Sequence, residues 1–267
     1  MLSAIRVSDQ KKVNGPYSKK YEGPFESPEC REQVSLRECL SRIDHFAHRP
    51  KSICGYGQGE TELHRTAKWE LYDSLKGHPD ITCLELERSL LWAKPDISFY
   101  LREEPVVIEV QGSDLPLDEI ILRTRHYTEH KIATLWVDLR HRYDHEQFLP
   151  KPWEQWLHAL GFGYYYQWRP GMGHHFEQLH LERVTRKIRS AIIQGSVSLF
   201  QLEPLWRREW QAPFGLVPEC FYLSTGGAYR ARKLDRHAFG MPVPWTKEEQ
   251  TEIMKELLAG ADDQTFC

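Results

Sequence analysis

The feature that most constrains the fold is a short apolar segment near the middle of the chain. Residues 105–111 read Pro-Val-Val-Ile-Glu-Val-Gln, and four of these seven residues are valine or isoleucine. β-Branched side chains favour extended backbone, because they pack well on a pleated surface. The segment therefore predicts a largely buried β-strand.

Five further elements are predicted around this strand. Leucine and alanine recur every four residues in the first of them, which is typical of a helix, and the strands are short apolar or alternating runs. Together they give the order helix, strand, strand, central strand, helix, strand: residues 60–75, 82–86, 97–101, 105–111, 117–131 and 132–137. A hairpin meander followed by a helical crossover predicts an α/β (α+β) fold, in which helices flank a mixed sheet.

The chain divides by composition into three parts. Residues 1–56 predict a small β-rich N-terminal module that contains a ribbon between 30 and 48, and residues 57–140 form the central core. Residues 150–267 form a C-terminal extension, for which the pattern predicts a helix over 153–160, a hairpin of 163–168 with 177–181, and an amphipathic helix over 247–258.

Composition excludes some classes of function. The formal net charge is −3, which excludes a globally basic nucleic-acid binder but not an enzyme whose basic contacts are confined to one face. No apolar run approaches the roughly 18 residues of a membrane span, and residues 1–6 lack the apolar core of a signal peptide. We therefore expect a cytoplasmic protein without a membrane partner.

Polar residues interrupt the central strand in a pattern that indicates a site. Glu109 and Gln111 are two residues apart and share one face, whereas Val110 points into the core. If strands 97–101 and 105–111 form a hairpin, Asp96 lies opposite Glu109. Two carboxylates on neighbouring strands can share a hard divalent cation such as Mg²⁺, which would activate water for attack on phosphorus.

A structural interpretation of the same carboxylates is that Asp96 caps a strand and Glu109 is solvated. Two polar groups on one side of an apolar strand are costly unless that side forms a site, and this consideration favours the functional interpretation.

The first predicted helix carries a polar stripe. Glu60, His64 and Lys68 are spaced by four residues and share one face, so they can point toward the same site. The opposite stripe should pack in the core, and it contains Leu63, Ala67, Leu71 and Leu75. The alternative for the polar stripe is a solvent-exposed ladder of ion pairs.

Several short motifs occur together in a specific order: ETELHRTAK at 60–68, Pro95-Asp96, IEVQGS at 108–113, Arg123 with Tyr127, and Leu135-Trp136. Their order and spacing resemble the CoiA-like competence-protein family. SPEC at 27–30 and DHFAH at 44–48 resemble that family's N-terminal module, so the resemblance covers about residues 1–183. It implies a PD-(D/E)xK nuclease core, which is a restriction-endonuclease-like fold, linked to the processing of transforming DNA.

The resemblance also implies roles for individual residues. Asp96 and Glu109 correspond to metal ligands, and Gln111 stands where the superfamily usually has lysine. Because glutamine carries no charge, Lys68 or Arg123 would have to supply the missing cation. The residues that correspond to the two helix motifs of the family are Glu60, His64 and Lys68, followed by Arg123 and Tyr127.

The N-terminal module departs from its relatives, which often begin with a Cys-Pro-x-Cys pair. Here the first position is Ser27. Cys30, His45, His48 and Cys54 would make a four-ligand zinc set, but their spacing is irregular. The sequence therefore predicts a ribbon without stable zinc, packed through Phe46.

Basic residues after position 183 suggest contacts to DNA. The two clusters include Arg186, Lys187 and Arg189, and then Arg230, Arg232 and Lys233. With Lys68, Arg123 and Tyr127, they make up the predicted DNA-binding residues. A solvated helix face is the alternative for each cluster.

The sequence thus predicts a DNA nuclease that depends on Mg²⁺ or Mn²⁺, with Asp96, Glu109, Gln111, Glu60, His64 and Lys68 in its catalytic site. The first alternative is a nuclease-fold accessory protein for DNA binding or recombination, with weak or no catalytic activity. The second is an interaction scaffold stabilised by zinc.

Overall fold

The computed structural model describes residues 1–202 except 51, 58, 91, 161–163 and 186. The predicted helix over 247–258 lies outside the described residues, as do Arg186, Arg230, Arg232 and Lys233.

The N-terminal module is a five-stranded antiparallel sheet with the strand order β2-β1-β3-β4-β5. The strands are β1 (Ser3–Arg6), β2 (Lys12–Asn14), β3 (Phe25–Glu26), β4 (Gln33–Arg37) and β5 (His45–His48). β4 and β5 pair as the predicted ribbon, and Phe46 is buried with Phe25 in a small core. Every second residue of β4 is buried, which explains why a strand forms there.

The second sheet has eight strands, and three helices are described beside it. In chain order these elements are α1 (Glu62–Leu75), β6 (Ile81–Leu86), β7 (Ile97–Leu101), β8 (Glu104–Gln111), α2 (Leu117–Glu129), β9 (Ala133–Asp138), β10 (Gln147–Phe148), α3 (Pro152–Leu160), β11 (Tyr165–Gln167), β12 (His175–Arg183) and β13 (Arg189–Ser198). The strand order is β10-β13-β12-β11-β9-β8-β7-β6.

The strand directions confirm the predicted mixed sheet. β6, β7 and β8 form an antiparallel meander, and the crossover through α2 makes β9 parallel to β8. β11 is also parallel to β9, whereas β12 and β13 are antiparallel to their neighbours. The predicted hairpin in the C-terminal part is confirmed by β11 and β12, and the predicted helix over 153–160 by α3.

Helices cover both faces of the sheet. On one face Leu71 and Leu75 of α1 pack with Ile108 and Val110. On the other face Val107 packs with Tyr127 of α2. The alternation along β8 therefore sends Val110 toward α1 and Glu109 toward α2, as expected for a strand.

The sheet runs past residue 140, where the sequence places the end of the core. β10 to β13 lie between residues 147 and 198 and extend the same sheet. Among the described helices, none is both long and apolar enough to cross a membrane.

One prediction about α1 is wrong. Leu63 was expected in the apolar stripe, but it is 38% exposed, whereas Ala67, Leu71 and Leu75 are fully buried. Leu63 lies in the first turn of the helix, directly after the cap at Thr61, whose hydroxyl accepts a hydrogen bond from the backbone of His64 (3.2 Å). A four-residue spacing gives the period of a helix but does not show where its contact with the sheet begins.

Candidate active site

The two central carboxylates meet where β7 begins and β8 ends. Ile97 pairs with Ile108, and the same register continued by one residue sets Asp96 beside Glu109. Asp96 is tied to the end of β8, because its Oδ2 accepts the backbone N–H of Val110 at 2.9 Å. The hairpin therefore brings Asp96 and Glu109 together as the sequence predicts.

Glu109 is buried against α2. Its Oε1 accepts a hydrogen bond of 2.6 Å from the Tyr127 hydroxyl, and its Oε2 lies 3.9 Å from Nη1 of Arg123. Burial and the negative charge of Asp96 raise the pKa of Glu109 to about 7, although Arg123 and Tyr127 oppose the shift. Glu109 is thus a carboxylate that binds a proton near neutral pH when no cation is present.

Asp96 faces the cationic side chains of α1. Nε2 of His64 lies 3.1 Å from Asp96 Oδ2, and Nζ of Lys68 lies 3.5 Å from Asp96 Oδ1. Burial alone would raise the pKa of Asp96, but the charges of His64 and Lys68 lower it. Burial likewise acts to lower the pKa of His64, yet Asp96 shifts it upward. His64 and Lys68 of the predicted polar stripe therefore point into the site, whereas Glu60 precedes α1 and contacts the site through its ion pair with Lys68.

Lys68 is a buried ammonium surrounded by carboxylates. Only 4% of its side chain is exposed, and it forms ion pairs with Glu60, Glu87 (2.6 Å) and Asp96. Burial disfavours the charged form, but the three carboxylates outweigh it and raise the pKa of Lys68. Lys68 is consequently a fixed positive charge beside Asp96.

Glu87 is a site residue that the sequence analysis missed. It directly follows β6 with a φ of 50°, and its backbone N–H donates to the carbonyl of Asp96 (3.0 Å). Its carboxylate accepts hydrogen bonds from Ser3 Oγ (2.7 Å), Tyr56 Oη (2.5 Å) and the backbone of Leu2 (3.0 Å). Glu87 therefore joins the N-terminal module to the site and holds Lys68 at the same time.

A signal for Glu87 was present in the sequence. It follows the predicted strand over 82–86, and antiparallel pairing of that strand with 97–101 sets the residue after one strand beside the residue before the other. Leu86 pairs with Ile97, so Glu87 and Asp96 are neighbours.

Gln111 lies on the same face of β8 as Glu109 and is 6% exposed. Its side-chain nitrogen donates to the carbonyl and to the hydroxyl of Ser113, the latter at 3.2 Å. The amide is therefore anchored in the loop that leaves β8.

A pocket of about 260 Å³ opens beside Asp96, Glu87 and Lys68. Its lining also includes His64, Tyr56 and Lys94. Nζ of Lys94 lies 3.8 Å from the centre of the Tyr56 ring. Cationic and carboxylate groups thus share one open cavity between the N-terminal module and α1.

The structure places the predicted DNA-binding residues in different environments. Tyr127 is fully buried and its hydroxyl binds Glu109, so it is positioned to support that carboxylate and cannot contact DNA. Arg189 is also buried, and its guanidinium donates to the carbonyl of Thr185, whereas Lys187 is exposed. Arg123 is 40% exposed and pairs with Glu119 on α2. The DNA-binding residues were predicted from sequence spacing and from the family resemblance, and neither shows how deeply a side chain is buried. Burial decides whether a side chain can reach DNA.

The four residues considered as a possible zinc set, Cys30, His45, His48 and Cys54, are partly brought together. Sγ of Cys30 lies 3.3 Å from Nε2 of His48, and Cys54 lies in the same cluster. His45 is turned elsewhere, with Nδ1 3.0 Å from the carbonyl oxygen of Ile43.

Comparisons with known proteins relate the chain to one family. Two family models match the chain: the competence protein CoiA N-terminal domain at residues 9–57, and the competence protein CoiA nuclease-like domain at residues 60–156. The chain is 25% identical over 114 residues to competence protein CoiA of Bacillus subtilis (strain 168), a match that covers 42% of this chain and 31% of that protein. No solved structure matches.

Proposed function

Because the chain belongs to the CoiA-like competence-protein family, we propose that it is a nuclease that hydrolyses phosphodiester bonds in DNA and depends on Mg²⁺ or Mn²⁺. The nuclease-like domain match contains Asp96, Glu109 and the polar stripe of α1. The observation that supports the proposal most is the meeting of Asp96 and Glu109 at adjoining strand ends, with Lys68 and His64 directed at Asp96.

The two carboxylates fit a hard divalent cation. One oxygen of each is held by direct hydrogen bonds, Asp96 Oδ2 by Val110 and Glu109 Oε1 by Tyr127. The second oxygens lie farther from their cationic neighbours, 3.5 Å for Asp96 Oδ1 and 3.9 Å for Glu109 Oε2. These are longer than direct hydrogen bonds, so both oxygens can turn to a cation.

Electrostatics favour the same assignment. The charge of Asp96 contributes to the raised pKa of Glu109, so the pair repels when both groups are ionised. Oxygen ligands with net negative charge suit Mg²⁺ and Mn²⁺. Bound there, the ion would supply Lewis acidity to a phosphodiester and to the attacking water.

Lys68 takes over the electrostatic role that lysine usually has at the position of Gln111. Its ammonium is held in place by Glu60 and Glu87 before any substrate arrives. A preorganised charge stabilises negative charge that develops on a phosphate without further rearrangement. Gln111 contributes a neutral amide whose nitrogen binds Ser113, and its carbonyl oxygen can accept a hydrogen bond from the attacking water.

DNA would approach from the side of the exposed basic residues. Lys94 lines the pocket, and its side chain is 21% exposed. Arg123 is 40% exposed beside Glu109. Lys94 lines the same pocket as Asp96 and is ion-paired with Glu29, and Arg123 lies 3.9 Å from Glu109. From these positions both cations can contact phosphates beside the scissile bond.

A second function is supported by one specific observation. Gln111 is neutral and its amide is already bound to Ser113, which suits a nuclease-fold protein that holds DNA for recombination without cutting it. The two functions differ in a simple assay. Plasmid and single-stranded DNA are incubated with Mg²⁺, Mn²⁺ or a chelator; cleavage that requires the metal supports the nuclease, and DNA retention without cleavage supports the accessory protein.

A further inference from the structure

We infer that Cys30, His48 and Cys54 bind one zinc ion at the edge of the N-terminal module, with its fourth coordination position open to water. This replaces the expectation of a zinc-free ribbon, which rested on irregular spacing and on Ser27 in the first cysteine position. The structure shows what spacing could not, because the chain after β5 returns and brings Cys54 to the other two residues.

The distances suit zinc. One donor atom from each of the three residues lies within 4.8 Å of the others, and Cys30 Sγ is 3.3 Å from His48 Nε2. In a tetrahedral site, zinc–sulfur and zinc–nitrogen bonds of about 2.3 Å and 2.1 Å separate neighbouring ligand atoms by about 3.5–3.8 Å. Small side-chain movements therefore convert the cluster into three zinc ligands. Neither Cys30 nor Cys54 is in a disulfide.

Ser27 explains why the site has three protein ligands. It is fully buried next to Cys30, whose backbone N–H donates to Ser27 Oγ at 3.4 Å. A neutral hydroxyl is a poor substitute for a thiolate, since zinc sites in proteins use cysteine, histidine or carboxylate ligands. His45 does not complete the set, because its ring binds the carbonyl of Ile43.

The position of the cluster suggests what the metal does. Cys54 lies two residues before Tyr56, whose hydroxyl binds Glu87 at 2.5 Å. Zinc would fix the segment that carries Tyr56 onto the β4–β5 ribbon. It would thereby stabilise the contact between the N-terminal module and the pocket beside Asp96.

The experiment uses the full chain, purified untagged, without chelators and under reducing conditions. Zinc is measured by elemental analysis, and Co²⁺ is added to the metal-free protein to observe the charge-transfer absorption that thiolate ligands produce. We expect one zinc per chain and a cobalt–thiolate band. Both should be lost in Cys30→Ser and Cys54→Ser, and both should remain in Cys39→Ser, which changes a half-buried thiol outside the cluster.

Two further variants test whether the zinc site is independent of the carboxylate site and whether zinc loss could reflect misfolding alone. Asp96→Ala should keep the zinc, because the carboxylate site is distinct. Ser27→Cys should tighten Zn²⁺ binding by more than about tenfold, the lower end of what one supporting partner contributes at zinc sites. Protein that contains no zinc and gives no cobalt–thiolate band would overturn the inference. Zinc retained by both Cys30→Ser and Cys54→Ser would also overturn it. If these two variants do not fold, an unchanged zinc affinity in Ser27→Cys would overturn it instead.

Discussion

Lys68 and Glu87 form a buried ion pair: Nζ lies 2.6 Å from Oε1, and each side chain is 4% exposed. The pair links α1 to the end of β6, and Glu87 extends the link to Leu2, Ser3 and Tyr56. Two buried charges are tolerated only when each compensates the other. The proposed active site is therefore built on a structural ion pair that the N-terminal module completes.

Replacing Glu87 by glutamine should destabilise the protein. The change keeps the shape of the side chain but leaves Lys68 with Glu60 and Asp96 as its remaining carboxylate partners. Breaking a buried pair costs about 3–5 kcal/mol, and these partners should bring the loss toward the lower end. Urea unfolding of the metal-free protein measures it. Glu103→Gln, in the exposed β7–β8 turn, is the control and should change stability by less than about 0.5 kcal/mol. Equal stability of the two variants would show that Glu87 does not hold Lys68.

Gln111 should matter less than the metal ligands. Deleting one positioned neutral donor costs about 10²–10³ in rate, whereas deleting a ligand loses the cation itself. Gln111→Ala should thus cut DNA more slowly than the parent but faster than Asp96→Ala. Gln111→Lys should fold and retain cleavage, because it restores the residue usual in the superfamily. Single-turnover cleavage at saturating Mg²⁺ measures all of these, and a Gln111→Ala variant as slow as Asp96→Ala would refute the assignment.

Glu109 should make metal-free stability depend on pH. Its pKa of about 7 in the folded protein exceeds the ordinary value of 4.5. A raised pKa means that the folded state binds the proton more tightly, so this stabilisation is complete below about pH 4.5 and is lost as the pH rises through 7. Chemical unfolding with chelator present measures the free energy of unfolding at pH 5 and at pH 8. Between these two pH values the parent protein should lose more of this free energy than Glu109→Gln. Parallel losses in the two proteins would contradict the shift.

Tyr127 should support metal binding without contacting DNA. Its hydroxyl hydrogen bond helps to keep Glu109 ionised, so Tyr127→Phe should raise the pKa of Glu109 further. A hydrogen bond to a charged group contributes about 1.5–3 kcal/mol, and the variant should require more Mg²⁺ for half-maximal cleavage while binding DNA normally. The control is Tyr143→Phe, at an exposed tyrosine. If DNA affinity falls and the Mg²⁺ requirement does not, Tyr127 acts on DNA instead.

Much of the central fold could be predicted from the sequence, because its signals are local. Runs of β-branched residues and four-residue spacing predicted the order of elements correctly: one helix, three strands, a second helix and a fourth strand. The first helix was predicted to begin at residue 60, and α1 begins at Glu62. The prediction that Asp96 lies beside Glu109 followed from the alternation of side chains along a strand and from the register of the hairpin.

The features that local patterns miss depend on distant contacts. The parallel pairing of β9 with β11, which extends the sheet toward β13, has no periodic signature. The burial of Lys68 requires Glu87, and the cluster around Cys30 requires a return of the chain to Cys54. Such contacts join segments far apart in sequence, and no single segment carries the information.

The most direct test of the proposed function is metal-dependent cleavage by four proteins: the parent, Asp96→Ala, Glu109→Ala and the Glu103→Ala control. Single- and double-stranded DNA are incubated with Mg²⁺, with Mn²⁺ and with a chelator, after each variant is shown to be folded. With each metal, the parent and Glu103→Ala should cleave DNA at equal rates, and the chelator should abolish cleavage by both. Asp96→Ala and Glu109→Ala should not cleave DNA with either metal. Cleavage by Asp96→Ala and Glu109→Ala as fast as by the parent, or a folded parent that cuts neither substrate with either metal, would contradict the nuclease assignment.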